Sequence, residues 1–520
     1  MGSLWTGVSG LLTYSQAIAV TSNNLANVNT TGYKSSNILF SDLVSSAAGG
    51  TNDGSQVGNG VEVGSISLDT GVGGLESSTS TLDLAVNGED GYFQVRNVDN
   101  DKTYYTRAGS FNFDKYGYLT NASGLRVQGW AVDQTAVTAA ERTNTSLAEV
   151  PITGSQTDIQ IKDFTLPAQA TSSISLITNL DSTTQTGTND ATDPYFSMFK
   201  SYNATSGTLA SNSDYSTSLT VYDSEGGSHD LTVHYNKISD QNGKEYWEYM
   251  VTMDPSEDGN TATSGTTKSG VLMIGTMTFS AQGTLENETA YTLASGASDP
   301  TNLSSWTQAT LDSRGVPSFS ATFRSVSNSS HTVAAQTIDF KTGLSASGAS
   351  WSSNNPTTAA GIGTSVAANA GFDVSKTQNA VSCTTNYATT SYTLSSGQDG
   401  YASGTYKSSY VDEDGVLYGT FSNGQTKPLW VLAMADFTNP SDLTKEGNSL
   451  YSANTNTGAA RIGRANSGKF DSISGSSLES SNVDMATQMV NLIMFQRAFQ
   501  SNSKVVTTAD AMMEKALEIK

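Results

Sequence analysis

Gly463-x-x-x-x-Gly468-Lys469 has the glycine and lysine spacing of a phosphate-cradling loop, in which backbone N–H groups and an ammonium hold phosphate oxygens. Phe470 stands where a Ser or Thr must ligate Mg²⁺, and no strand-to-helix switch surrounds the run, so an ordinary loop is expected. The histidines are His229, His234 and His331. His229 and His234 are five apart on a strand pattern and point to opposite faces of a regular strand. With Asp230 nearby a metal is conceivable, but solvated strand histidines are the expectation. Asp412-Glu413-Asp414-Gly415 gathers carboxylates without the spaced ligands and closing Glu of a calcium loop, and reads as a turn. The chain has no Gly-x-Ser-x-Gly elbow. Its one cysteine, Cys383, cannot form an internal disulfide and reads as a small buried or half-buried side chain. The sequence therefore offers no catalytic, cofactor-binding or metal-ligating residues, and no cofactor is expected.

The elements around these residues say more than the residues do. Residues 1–33 contain no Asp, Glu, Lys, Arg or His, although the 520-residue chain carries a net charge of −22. Leu4, Val8, Leu11, Ile18 and Leu25 follow a 4-3 spacing, with Ser15 and Ser22 filling the same seam. That spacing predicts an amphipathic helix from about Ser3 to Asn27, roughly 37 Å long at 1.5 Å per residue. A polar, glycine-containing stop follows at residues 26–34. A second long helix is predicted over 481–520. Its stripe is Met485, Met489, Leu492, Phe495, Phe499, Val506, Ala509, Met513 and Ala516, interrupted by Asn502. Ser481-Asn482-Val483-Asp484 resembles a capping box at its start. Between Met485 and Ala509 the charges are Arg497 and Lys504 alone. A simple two-helix coiled coil would leave the far side of an uncharged helix exposed to water, which favours a polymer that surrounds each helix with neighbours.

Between the helices the pattern is β. Asp-x-x-Gly recurs at Asp114–Gly117, Asp223–Gly226, Asp240–Gly243, Asp312–Gly315 and Asp412–Gly415, a spacing suited to type I turns closing hairpins. Flanks such as Leu219-Thr220-Val221 and Leu231-Thr232-Val233 alternate as half-buried strands do. The absence of a βαβ rhythm argues against a parallel α/β enzyme fold. Composition is 14% charged, well below the ~25% of average globular proteins. The negative charge argues against nucleic acid as partner. No apolar run is long enough to span a membrane. The N-terminus lacks a basic region and a continuous apolar block, so no cleaved signal peptide is expected, and any export would leave the N-terminus uncleaved.

The motifs resemble the bacterial flagellar rod and hook axial protein family. Ser9-Gly10-Leu11 with Asn23, Asn24, Leu25, Ala26, Asn27, Val28, Asn29, Thr30, Thr31, Gly32, Tyr33 and Lys34 is similar to the family's N-terminal signature. Residues 478–484 and Gln496-Arg497-Ala498-Phe499-Gln500-Ser501-Asn502-Ser503-Lys504 are similar to its C-terminal end. Leu84–Gly88 and Tyr105–Phe111 lie between, in the family's order. The length and the Ser/Thr-rich middle resemble the hook branch, while rod members are about half as long. The resemblance implies a mixed fold: α terminal coiled-coil helices plus mainly antiparallel β middle domains, in an elongated multidomain architecture with nested, discontinuous domains. On that pattern residues 1–34 with 480–520 form an inner helical domain, and 35–75 with 460–479 an extended, partly irregular connector. Residues 76–147 with 393–459 form a β-rich inner tube domain, and 148–392 one or two outer β-rich domains. The implied function is a self-polymerising hook subunit, a flexible tube transmitting torque from rod to filament. The implied partners are copies of itself, the distal rod protein, the hook cap, the hook-filament junction protein and the flagellar type III export apparatus. The implied location is the extracellular flagellum. A distal rod or hook-associated protein, and a secreted β-rich adhesin, are the alternatives.

Overall fold

A computed structural model describes residues 2–44, 46–47, 56–143, 147–186, 190–205, 213–241, 243–326, 328–364 and 369–518. The two terminal helices, Gly2–Ala26 and Met485–Glu518, run side by side and antiparallel. Gly7 faces Val506, Gly10 faces Asn502, Tyr14 meets Phe495 and Asn24 reaches Gln488. The face that the N-terminal helix buries is not the apolar stripe. It is Gly7, Gly10, Thr13, Ala17, Thr21 and Asn24, a row of small and polar side chains, while Leu4, Val8, Leu11, Ile18 and Leu25 are half-buried and Ser15 and Ser22 exposed. Small residues let the helix backbones approach. A Cβ on Gly10 would lie 2.7 Å from Asn502 Oδ1, so the interruption of the C-terminal stripe is the residue that fills the glycine's space. Thr13 and Thr21 satisfy their hydroxyls on the carbonyls of Ser9 and Ala17, one turn back.

The capping box is displaced. The C-terminal helix begins at Met485, and its cap is Asp484 itself, not Ser481: Asp484 Oδ1 accepts from Ala486 N at 3.0 Å and Oδ2 from Thr487 Oγ1 at 2.6 Å. An acid at the cap answers both the orphan N–H groups and the positive end of the helix dipole. Ser481 and Asn482 are thereby released for contacts below the helix.

Within the 35–75 region, expected to be extended and partly irregular, strands Ser36–Asp42 and Val61–Leu68 pair antiparallel, with a bulge between Leu39 and Phe40. This ribbon lies against the N-terminal helix, where Thr13 Oγ1 donates to Val61 O (3.2 Å) and Val61 N donates to Ser9 Oγ (3.4 Å). Phe40 closes an aromatic trio with Tyr14 and Phe495.

Beyond the ribbon, a large sheet runs Thr165–Leu166, Gly404–Val411, Val416–Phe421, Thr426–Leu432, Arg126–Val132, Tyr92–Arg96, Thr103–Thr106, Leu450–Ser452, Thr444–Gly447. Its strands come in blocks from both sides of the long insertion, and its core is built around Leu84, Phe93, Phe111, Val127, Ile159, Leu417, Leu432 and Ile473. Ile152–Asp158 also pairs into it, on Arg126–Val132. The chain therefore stays with this inner sheet through Leu166 and rejoins it at Gly404; the boundaries 148 and 392 fall inside strands or short of them. The reason is pairing: a Ser/Thr-rich composition does not stop Ile152–Asp158 from pairing with Arg126–Val132 or Ile159 from filling the inner core, while Ile152 packs half-buried against Val132, Val137, Val416 and Val431.

The insertion is a sandwich. One sheet is an antiparallel meander of Tyr215–Tyr222, Ser228–Gln241, Lys244–Met253, Val271–Phe279, Leu285–Leu293 and Trp306–Gln308. The other runs Thr310–Leu311, Pro317–Ala321, Gln336–Lys341, Ser173–Asn179, Tyr392–Gln398, with Ser173–Asn179 parallel to Gln336–Lys341. Both sheets contribute to one apolar core, including Ile174, Leu176, Trp247, Tyr249, Met273, Phe319 and Phe340. Four of the Asp-x-x-Gly turns close hairpins with one geometry. Oδ1 of Asp114, Asp223, Asp312 and Asp412 accepts from the backbone N–H groups two and four residues on, at 2.8–3.1 Å. The glycine of each takes positive φ, +75° to +88°, which only glycine adopts without strain. Asn242 of the fifth turn lies outside the described residues.

Candidate functional site

The helices are fastened to the β-body by a buried polar junction. Lys34 Nζ lies 2.6 Å from Glu479 Oε1, and Arg107 Nη1 lies 3.4 Å from Glu479 Oε2, all three side chains at 0–1% exposure. Gly73 N also donates to Glu479 Oε1 (3.0 Å), and Gly32 N to the Glu479 carbonyl (2.7 Å). Lys34 Nζ donates to Gly71 O (2.7 Å), while Arg107 donates to the Gly88 and Glu89 carbonyls and stacks over Tyr92. Burial, and then the neighbouring guanidinium, pull the Lys34 ammonium below its usual range, against the opposite pull of Glu479. One carboxylate thus holds two cations from distant parts of the chain out of water, an arrangement that is stable only while every member is paired.

The asparagine-rich stop supplies the rest. Asn24 is almost fully buried; its Oδ1 accepts from Ser36 N (2.9 Å) and Tyr33 Oη (3.2 Å), and its Nδ2 donates to Ser36 O (2.9 Å) and Gln488 Oε1 (3.3 Å). One side chain therefore ties the first helix, the first strand and the last helix. Asn23 Nδ2 donates to Tyr33 Oη, and Asn27 bonds back to Asn23 and accepts from Thr30 Oγ1. Asn482 Oδ1 accepts from Ser35 N (2.7 Å), and its Nδ2 donates to the carbonyls of Asp69 and Gly71. Gly32 sits at φ +65°, and a Cβ there would meet Ala108 N at 2.4 Å, so no other residue fits. The Thr31 carbonyl accepts from Ser449 Oγ. Lys445 donates to the Lys34 carbonyl (2.7 Å) and lies over the Tyr33 ring; burial lowers its pKa to about 8.

Asn23, Asn24, Asn27, Thr31, Gly32, Tyr33 and Lys34 thus converge here. Ala26 and Asn29 are exposed and Val28 half-buried beside them. Gln496, Arg497 and Lys504 do not converge: they are exposed on the C-terminal helix, and Asn502 lies higher up, against Gly10. Arg107, Glu479 and Asn482 also belong to the junction, and all three lie within segments 105–111 and 478–484 that resemble the family's motifs. The signal is a single base, Arg107, in residues 105–111 and an acid, Glu479, in residues 478–484, both in segments otherwise poor in charge. Lys445 and Tyr451, whose hydroxyl accepts from Lys34 N, gave none.

Above the junction the helix pair keeps a second, apolar face open to water. Trp5 is 67% exposed, Leu12 65%, Val490 66% and Met512 60%. Met485, Met489, Ile493, Met494, Phe499, Val505, Met513 and Leu517 are exposed as well, whereas Leu492 and Val506 are half-buried and Phe495 buried between the helices. No helix among the described residues is long and apolar enough to cross a membrane.

The chemistry-bearing residues elsewhere are structural. His229 is buried, not solvated: it lies 2.9 Å from Glu257 and 3.1 Å from Asp223 and stacks on Phe323. His234, on the other face, is held neutral by burial, its pKa lowered to about 4. His331 is exposed beside Glu225. Among the described residues no group of three His, Cys, Asp or Glu is placed to hold a metal ion. Phe470 packs against Gly463, and Lys469 lies 3.3 Å from Asp90, so the glycine-lysine run presents an ion pair and an aromatic ring where phosphate would sit. Cys383 is half-buried behind Glu288; burial first, and then that carboxyl, push its thiol up to about 12.

Four family profiles match the chain in order: Flagella basal body rod protein over residues 4–34, Flagellar hook protein FlgE/F/G D1 domain over 85–176, Flagellar basal body protein FlaE D2 domain over 198–401, and Flagellar basal body rod FlgEFG protein C-terminal over 474–519. The chain is 30% identical to flagellar hook protein FlgE of Treponema pallidum, over 100% of both chains. It is 27% identical to that of Escherichia coli, over 99% of this chain and 98% of the other. With that of Helicobacter pylori it shares 48% identity over 123 residues, 24% of this chain and 17% of the other. The crystal structure of Helicobacter pylori flagellar hook protein FlgE2 aligns over 78% of this chain and 99% of that one, at 13% identity and a TM-score of 0.41.

Proposed function

The chain belongs to the flagellar hook protein family and is a structural subunit of the hook; from that premise we propose how it polymerises and what it meets. The observation that carries the reading is the open apolar face of the helix pair. Two helices already packed on each other still expose the large apolar side chains of Trp5, Leu12, Val490, Ile493, Met494 and Met512 to water. Equivalent helices of neighbouring copies cover it, so the helices form the wall of a tube. Leu4, Val8, Leu11, Ile18 and Leu25, half-buried in one copy, complete their burial there with Met485, Met489, Phe499 and Met513. The buried junction sets the angle at which the β-body stands off the wall, the inner sheet forming a second layer and the outer sandwich the exterior.

The polar, weakly charged exterior suits adjustable, water-filled contacts between copies, as a bending tube requires. At its ends the tube meets the distal rod protein and the hook-filament junction protein, and a hook cap covers it during growth. The subunit leaves the cell unfolded and uncleaved through the flagellar type III export apparatus; support for these partners is the match of both ends of the chain to rod-protein profiles and a chain with no internal disulfide to form.

The test is electron microscopy of the purified full-length chain at high concentration and salt beside Ile493→Glu, which puts a charge on the open face. Wild-type chain is expected to give short tubes of uniform width, and the variant monomers of unchanged thermal stability. Tubes of normal width from the variant would overturn the assignment of that face.

A further inference from the structure

At one end of the outer sandwich three side chains of complementary chemistry close on a single oxygen. Lys237 lies on Ser228–Gln241, in file with core residue Tyr235, and Glu245 lies on Lys244–Met253, in file with core residues Trp247 and Tyr249. Alternation along the strands sends both toward the space between the sheets. Asn386 belongs to the segment crossing that end: its N–H donates to Gly283 O (2.8 Å), and its neighbour Thr385 bonds to Thr178 of the opposite sheet. Lys237 Nζ is 3.1 Å from Glu245 Oε2, and Asn386 Nδ2 donates to the same oxygen at 2.5 Å. Lys237 also donates to Ser182 O (2.6 Å) and lies 3.2 Å from Asp240. The Lys237 side chain is 2% exposed and Asn386 3%. Asn386 Oδ1 is buried with no hydrogen-bond donor among the described residues. A buried carboxamide oxygen left without a donor is costly, and native structures rarely keep one without a role.

We propose that Lys237 and Asn386 become joined by an intramolecular isopeptide bond, formed in the folded sandwich with Glu245 as the proton-transfer group. Glu245 takes a proton from the Lys237 ammonium, and the freed amine attacks Cγ of Asn386. Charge develops on Oδ1, the oxygen that lacks a donor, and Glu245, whose Oε2 lies against Nδ2, passes its proton to that nitrogen. The bond from Cγ to Nδ2 then breaks, and the ammonia released takes the extra proton still on the Lys237 nitrogen and leaves as ammonium. One ammonium and one carboxamide go in; one secondary amide and one ammonium come out. No oxidant, cofactor or second protein is needed. The fold supplies the positioning that makes an intramolecular amine competitive, and burial keeps water from the carbonyl. The bond would tie the meander sheet to the segment through which the chain returns toward the inner sheet.

The test is mass spectrometry of the full-length chain, purified folded and then denatured. The expected mass is below that of the sequence by one ammonia, with one branched peptide containing Lys237 and Asn386 after proteolysis. Asn386→Asp is expected to lose one water at the same junction, and Glu245→Ala and Lys237→Arg to keep their full sequence masses. A wild-type chain of full sequence mass, with Lys237 and Asn386 in separate peptides after prolonged incubation in the folded state, overturns the proposal without reference to any variant. An ammonia loss that persists in Lys237→Arg overturns it as well, since it places the loss on another residue.

Discussion

At the scale of residues, Glu479 does the most with the least. Its carboxylate is shared between Lys34 and Arg107, and all three side chains are buried. Glu479→Ala leaves two buried cations facing each other, and the loss expected for breaking such a group is about 3–5 kcal/mol. Denaturant unfolding followed in the inner sheet measures it; a loss under about 1 kcal/mol would mean that water replaces the carboxylate. Glu288 offers the opposite case. Its Oε2 accepts from Thr342 at 2.8 Å, its Oε1 has no donor, and burial pushes its pKa up to about 8 from the ordinary 4.5. The folded state then holds a proton that the unfolded state releases, so stability is fully present below pH 4.5, falls as pH rises toward about 8, and is level above that. Glu288→Gln removes this slope: the variant is expected to gain stability over wild type at pH 8 and not at pH 4, read from unfolding midpoints of the outer sandwich. At this scale the sequence was only partly legible. Asn24, Gly32 and Lys34 announced themselves by their motif, whereas Lys445 and Tyr451 reach the junction only because the large sheet folds back, a fact no local pattern holds.

At the scale of elements, period was readable and orientation was not. The 4-3 spacing of Leu4, Val8, Leu11, Ile18 and Leu25 fixes a helix, but an apolar stripe says only that something covers it. Here the close intramolecular contact goes to Gly7, Gly10 and Ala17, since short side chains bring two helices nearer than leucines do, and the large apolar residues stay half-buried. Gly10→Leu is expected to wedge the helices apart at Asn502 and abolish tubes while the β-sheets unfold at their normal denaturant midpoint. The cap slipped for a comparable reason: Ser481 and Asp484 both suit an N-terminus, and the competition was settled by Asn482, whose bonds to Ser35, Asp69 and Gly71 keep the chain before Asp484 out of the helix. Asp484→Ala should destabilise the start of the helix, seen as fraying of its first turn by hydrogen exchange. The hairpins were legible because Asp and Gly at fixed places act locally.

For the whole molecule, what could be read was nesting: helical periods at both ends, alternation between, and turns throughout. Where the inner sheet ends could not be read, since Ile152–Asp158 carries the same Ser/Thr-rich composition as the insertion and only its partner strand distinguishes it. Removal of residues 2–30 is expected to abolish tubes and leave both β-bodies folded, by circular dichroism and electron microscopy. Free subunits should also gain helical signal on assembly, because covering the apolar face stabilises helices that in isolation fray; unchanged ellipticity at 222 nm across polymerisation would contradict this.

The chain leaves the inner sheet at Thr165–Leu166 and rejoins it at Gly404–Thr405, and these two short strands are paired directly. The next residues stay together too, through the Gln169–Tyr401 bridge and Asp399, which accepts from Ser172 and Ser173. Everything between departs and returns through one doorway. Such a graft leaves its host blind to cargo size, because the ends are already closed and a longer or shorter insert changes no loop of the inner sheet. In the proposed tube, the insertion can therefore change in bulk, shape or surface chemistry without altering the inner sheet or the helices it stands on.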